Sequence, residues 1–186
     1  MLKLYGGSRT RATIVLWYLE ELGLPYEYIS VDLSAGEHRQ SKFLTINPMG
    51  KLPALEDNDY KIWESGAILL YLADQYAKIP ADAKMRGTLA QWVIFANATL
   101  ALAIFLEDRR DKELPKLLPP INEILQQQPF LGGDTLTVAD IAVASYLHYG
   151  RFLMSLDYKD YPAIVSYLDR LSQSKAFQKA FGNSPM

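Results

Sequence analysis

Two polar groupings in this chain have residue types and positions suited to handling an anion. The first is Glu64-Ser65, which follows an alternating segment, Tyr60–Trp63, and opens a stretch of helical period at Ile68, Tyr71, Leu72 and Tyr76. A small hydroxyl residue at a helix N-terminus combines its oxygen with unpaired backbone N–H groups and the positive end of the helix dipole. That combination holds carboxylates and phosphates. The second grouping is Ser8, Arg9 and Arg11, where a first strand gives way to a first helix. Ser8 is placed as the N-cap. Two arginines in a first helical turn sit where the dipole disfavours cations, and an anion bound beside them would account for both. The plain alternatives are that Ser65 and Ser8 only cap their helices.

The elements that would position these groups read clearly in the first half. Leu2–Tyr5 is a strand, and Gly6-Gly7-Ser8 turns into a helix from about Arg9 to Leu22, with Ala12, Val15, Leu16, Leu19 and Leu22 on one face. Gly23 and Pro25 end that helix, and Tyr26–Val31 alternates as a second strand. Strand–helix–strand order implies parallel pairing. After a polar loop at 34–40 and a helical turn around Phe43, Pro53–Glu56 and Tyr60–Trp63 form a hairpin about Asp57-Asn58-Asp59. Residues 1–76 thus read βαβ then ββα, the thioredoxin-like order.

Residues 77–84, with Pro80, read as a linker, and past them the period stays helical. One long helix reaches Arg110, and others cover about Leu114–Gln128, Val138–Tyr149, Tyr161–Leu171 and Ala176–Phe181. The fold class is therefore α/β plus all-α, a thioredoxin-like domain at 1–76 and an all-helical domain at 85–186. Thr88–Leu106 is apolar nearly all round and close to membrane-span length, but Gln91 and Asn97 interrupt it and charges bracket it, so it reads as a core or interface helix. Thr137 and Asp140 are spaced as a capping box, with Leu136 and Ile141 as its hydrophobic staple, which makes Asp140 structural and not a catalytic base.

Composition narrows the chemistry. Of 186 residues 49% are apolar and 22% charged, and the net charge of −2 gives no footprint for nucleic acid. The absence of cysteine removes disulfides, thiolate metal sites and a cysteine nucleophile together, and two histidines, His38 and His148, make no metal cluster. Met1–Tyr5 reads as a strand and not as a signal peptide, so a cytoplasmic location is expected.

The ordered run Asn47-Pro48-Met49-Gly50-Lys51-Leu52-Pro53, a hairpin and then Glu64-Ser65 resembles the glutathione-binding half of the cytosolic glutathione S-transferases. Leu131-Gly132-Gly133 before the capping box, and Tyr161-Pro162 through Ala176–Ala180, resemble the same family's helical half. The likeness covers essentially the whole chain, and small cyanobacterial (chi-type) members share its compact form. Glutathione as co-substrate, no metal, a homodimer and a small hydrophobic electrophile are what the resemblance implies.

By the same resemblance, Ser65 and Glu64 take the γ-glutamyl end, Leu52 presents its backbone to the cysteinyl unit through a cis bond at Pro53, and His38 and Lys51 suit the glycyl carboxylate. The family's sulfur partner lies near the end of the first strand, where Tyr5 and Ser8 are the candidates, and Ser8 is preferred with Arg9 and Arg11 in support. Ser8 would then have two roles competing for one hydroxyl. Trp92, Phe95, Ala96 and Thr99 are candidates for lining the electrophile's pocket, and Met49 for reaching a partner subunit. The strand-to-helix loop is shorter than usual for the family, and the Ser-Ser-Cys-Ser signature of its maleylacetoacetate isomerases is missing. Competing readings are a non-catalytic binding or scaffold protein on this fold, or a glutathione-dependent peroxidase or dehalogenase.

Overall fold

Leu2, Leu4 and Gly6 are buried while Lys3 and Tyr5 between them are half-buried, so β1 (Leu2–Gly6) is a strand with one covered face. The computed structural model describes residues 1–77, 79 and 82–182. Behind β1 comes α1 (Ala12–Glu21), whose inner stripe buries Ile14, Val15, Trp17, Tyr18 and Leu19. β2 (Tyr26–Ser30), a 3-10 turn at Glu37–Arg39, α2 (Ser41–Leu44), β3 (Ala54–Asp57), β4 (Tyr60–Trp63) and α3 (Ser65–Tyr76) follow. The sheet order is β2-β1-β3-β4. β2 runs parallel to β1 with Tyr28 beside Leu4, whereas β3 runs antiparallel to β1 with Leu55 beside Leu4. This is the thioredoxin-like arrangement that the element order predicts. Each apolar side chain buried fully here contributes about 1.5–3 kcal/mol.

Asp57 ties the end of β3 to α3. Its Oδ2 accepts from the hydroxyls of Tyr71 (2.8 Å) and Tyr76, and Oδ1 accepts from Asn58. That clamp fixes how α3 leaves the hairpin, and with it where Ser65 starts.

The expected linker at 77–84 is seen only in part: residues 78, 80 and 81 lie outside the described residues. Asp82 caps α4 (Ala83–Ile94) by accepting from the amides of Lys84 and Met85. The helical run passes through a π-helical segment, Phe95–Leu100, and α5 (Ala101–Phe105), then stops. The helix expected to reach Arg110 breaks at Leu106, which is extended (φ −92°, ψ 116°). Arg110 folds back to donate from Nε to the Ile104 carbonyl at 2.8 Å, closing the end of α5. Glu107 and Asp108 then suit the first turn of α6 (Glu107–Gln127), which starts well before Leu114 and contains Pro115, Pro119 and Pro120.

α7 (Val138–Leu153) begins at the expected capping box and outlasts its expected end at Tyr149. Asp140, wholly buried, accepts from the amides of Leu131 (2.8 Å) and Thr137 (2.9 Å) and from the hydroxyls of Thr137 and Tyr167. Burial still pushes its carboxyl above the ordinary range. It is a structural residue. α8 (Pro162–Ser172) opens with proline, and Asn122 of α6 accepts from its amides at Ala163 and Ile164. The run Ala83–Phe105 is long and apolar enough to cross a membrane. Its stripe of Leu89, Val93, Ala96 and Leu100 is buried, and Asn97 accepts from Tyr146 of α7 at 2.8 Å, as in a core helix.

α9 (Lys175–Gly182) packs on α1. The described residues of Met1–Lys78 and Lys175–Met186 form one compact unit, and those of Ile79–Ser174 form the other. The final helix covers Trp17 of α1, whose ring meets Phe177 at 5.1 Å and Phe181 at 5.9 Å, both edge-on. Lys179 adds an ion pair to Glu20 at 2.6 Å.

Candidate functional site

The chain leaves β1 through a tight turn from Gly7 to Arg11. A Cβ on Gly7 would stand 2.7 Å from the Val31 carbonyl oxygen and 3.2 Å from the Leu52 side chain, so only glycine lets the turn press so closely there. Arg9 has a left-handed backbone (φ 55°). The Thr10 hydroxyl donates to the Gly7 carbonyl at 2.8 Å and accepts from the amides of Gly7 and Ala12, each at 3.3 Å. One proton and two lone pairs exhaust what a hydroxyl offers.

This geometry corrects the reading of Ser8. The helix begins at Ala12 and not at Arg9, because the left-handed residue and the Thr10 bonds hold the intervening segment as a turn. Ser8 is exposed, caps nothing, and is absent from the cavity beside it. Thr10 takes the amide-accepting role expected of Ser8. A threonine two residues ahead of the first buried helical position was a visible cap signal.

A second wall is the segment before β3. The buried Asn47 donates from Nδ2 to the Lys51 carbonyl at 2.7 Å and accepts at Oδ1 from the Met49 amide at 2.9 Å. Gly50, at φ 61°, lies against the His38 carbonyl, and Leu52–Pro53 is cis, as the resemblance implies. A third wall is Glu64-Ser65. Glu64 has φ 70° and ψ 118°, a conformation costing about 1–3 kcal/mol for such a residue. It turns the chain from β4 into α3 so that Ser65, 2% exposed, is the first helical residue.

These walls and the 3-10 turn enclose a cavity of about 490 Å³. Arg9, Arg11, His38, Lys51, Leu52, Pro53, Glu64 and Ser65 all line it, so of the site residues read from sequence only Ser8 is left out. Thr10, Leu33, Arg39, Asn47 and Gly50 complete the lining. Asn47 and Gly50 had a signal in the Asn-Pro-x-Gly turn, whereas Leu33 and Arg39 had none. Arg39 donates from Nε to His38 Nε2 at 3.2 Å. Among the described residues the lining holds four cationic side chains, Arg9, Arg11, Arg39 and Lys51, and one carboxylate, Glu64. The lining attracts anions while keeping one place for a cation. No group of acidic and histidine side chains that could hold a metal occurs among the described residues.

Residues 1–74 match the family described as "Glutathione S-transferase, N-terminal domain", and residues 87–180 match "Glutathione S-transferase, C-terminal domain". The chain belongs to the glutathione S-transferase family. The whole cavity lining falls inside the first match. Glutathione S-transferase GstB of Escherichia coli (strain K12) is 32% identical, over 96% of this chain and 97% of its own. Disulfide-bond oxidoreductase YfcG of the same strain is 28% identical, over 97% and 94%. Among solved structures, the glutathione transferase URE2P6 from Phanerochaete chrysosporium, in complex with oxidized glutathione, superposes with a TM-score of 0.83 at 29% identity, covering 98% of this chain and 96% of that one. The chain is thus an enzyme of the transferase family, with the family's α/β plus all-α fold.

Proposed function

We propose that this enzyme binds glutathione in the cavity, holds its sulfur as the thiolate and transfers it to small hydrophobic electrophiles. The observation that carries the reading is the pairing of cation-rich walls with one carboxylate at a helix start. Glutathione has two carboxylates and one ammonium, and each finds a counterpart. Ser65 and the first amides of α3 suit the γ-glutamyl carboxylate, and Glu64 suits the ammonium. The backbone of Leu52, before cis Pro53, suits the cysteinyl unit, and His38 and Lys51 suit the glycyl carboxylate.

Arg9 and Arg11, on the turn after β1, suit the sulfur. A free thiol titrates near about 8.5, and neighbouring cations with a helix N-terminus lower that by about one to several units. The thiol releases its proton to water. The thiolate then forms a bond to the electrophilic carbon, and the leaving group departs with its electron pair. Ser8, exposed and outside the lining, takes no part in this scheme. A homodimer working in the cytoplasm in detoxification completes the reading.

The experiment is to titrate glutathione into the protein by calorimetry and follow the bound thiolate by ultraviolet absorbance against pH. A bound thiol titrating at least about one unit below 8.5 supports the reading. Binding without a shift leaves a carrier or scaffold, and no binding overturns the proposal. The disulfide-bond oxidoreductase relative marks the runner-up reading. With no cysteine in the chain, the reacting sulfur would be glutathione's in that case too. Assaying aryl halides beside low-molecular-weight disulfides separates the two.

A further inference from the structure

We propose that Thr10 is a positioning residue for the sulfur chemistry, acting through Arg9 and never touching the substrate. The inference rests on the reading of the cavity as a glutathione site.

Arginine at φ 55° persists only where its surroundings fix it. Here the fixing group is one oxygen. The Thr10 hydroxyl binds both backbone polar groups of Gly7 and the Ala12 amide, so it closes the turn behind Arg9 and joins it to the first residue of α1. Gly7, wedged against the Val31 carbonyl, gives the turn a fixed base. With both ends held, the point from which the Arg9 side chain enters the cavity lining is set.

The same bonds exclude the more obvious role. Thr10 lines the cavity and has a hydroxyl, the group expected to donate to a thiolate. Its only proton is committed to the Gly7 carbonyl at 2.8 Å, and its lone pairs are taken by amides. Turning that proton toward a sulfur would strip the turn of its closing bond. Ser8, the other hydroxyl here, is exposed outside the lining. Charge at this end of the cavity therefore comes from guanidinium groups, and Thr10 determines where one of them stands.

The test measures the thiol pKa of bound glutathione in the native protein, Thr10→Val, Thr10→Ser, Arg9→Gly and the double variant Arg9→Gly/Thr10→Val. Glycine adopts a positive φ freely, so Arg9→Gly removes the guanidinium without straining the turn. Valine keeps the shape and loses the hydroxyl, and we expect it to raise the thiol pKa by about half a unit or more, about a threefold loss of thiolate at a pH below both values. Serine should hold the native value within about 0.2 units, and valine should add nothing once Arg9 is glycine. A valine effect that persists in the Arg9→Gly background overturns the inference, as does a native thiol pKa in Thr10→Val. Should the valine chain fail to fold by circular dichroism, Thr10→Ser decides: a native thiol pKa supports the inference and a raised one overturns it. If the native protein fails to bind glutathione, or binds it with an unshifted thiol, the glutathione reading itself fails and takes this inference with it.

Discussion

The Asn47 side chain spans from the Lys51 carbonyl (2.7 Å) to the Met49 amide (2.9 Å), holding in one shape the segment that delivers Lys51, Leu52 and Pro53 to the cavity. Replacing it with alanine leaves a carbonyl and an amide without partners beside a buried side-chain position. We expect Asn47→Ala to cost about 2 kcal/mol of stability. Glutathione affinity should fall with it, because the cavity wall loses its pin. Urea denaturation gives the first number and calorimetric titration the second. A variant with native affinity would separate the pin from the site.

Ser65 is nearly fully buried at the first position of α3, on the cavity wall. A hydrogen bond to a charged partner is worth about 1.5–3 kcal/mol, so Ser65→Ala should raise KM for glutathione about tenfold or more. The kcat at saturating glutathione should move much less, since the proposed contact is with the γ-glutamyl carboxylate, at the far end of glutathione from the sulfur. Steady-state kinetics with varied glutathione would show the split, and a loss confined to kcat would contradict the assignment.

Gly150 lies inside α7 where Tyr158 crosses it. A Cβ there would stand 2.2 Å from the Tyr158 hydroxyl, which is buried and donates to the Leu147 carbonyl at 3.0 Å. The ring cannot swing aside without losing that bond. Gly150→Ala, ordinarily favourable in a helix, should therefore destabilise by about 1–3 kcal/mol. Adding Tyr158→Phe should recover part of the loss in thermal denaturation.

His148 is completely buried on α7, stacked on Phe152, with Arg151 and Asp169 nearby. Burial lowers its pKa from 6.5 to about 3, and the Arg151 charge adds to the effect. Between those values the unfolded chain binds a proton that the folded chain refuses, so acid favours unfolding. The stabilisation is whole above pH 6.5 and is lost toward pH 3, at about 1.4 kcal/mol per unit. Comparing native protein with His148→Leu by denaturant unfolding from pH 7 to 5 cancels Asp140 and the other carboxylates. The native curve should fall more steeply by about that slope.

Local order by itself determined much of this protein. The hairpin and the Glu64-Ser65 helix start lie within one stretch, and their turn residues, strand alternation and helical period are set by neighbours along the chain. The Thr137–Asp140 box needs only a spacing of three. Tertiary structure decided the rest, where a residue's partner is distant in sequence. Gly7 meets Val31, and that contact with the Thr10 bonds moved the start of α1 to Ala12 and put Ser8 outside the cavity. Arg110 ended α5 at Leu106, where helical period alone carries the helix on to Arg110. Trp17 claimed Phe177 and Phe181, which places α9 in the same compact unit as α1. Arg39 became part of the lining because Gly50 lets its own loop lie against the His38 carbonyl, a close approach that periodicity does not encode. Propensity and spacing act over one or two turns of chain; the burial of a large ring and the packing of backbone on backbone depend on what the fold brings alongside.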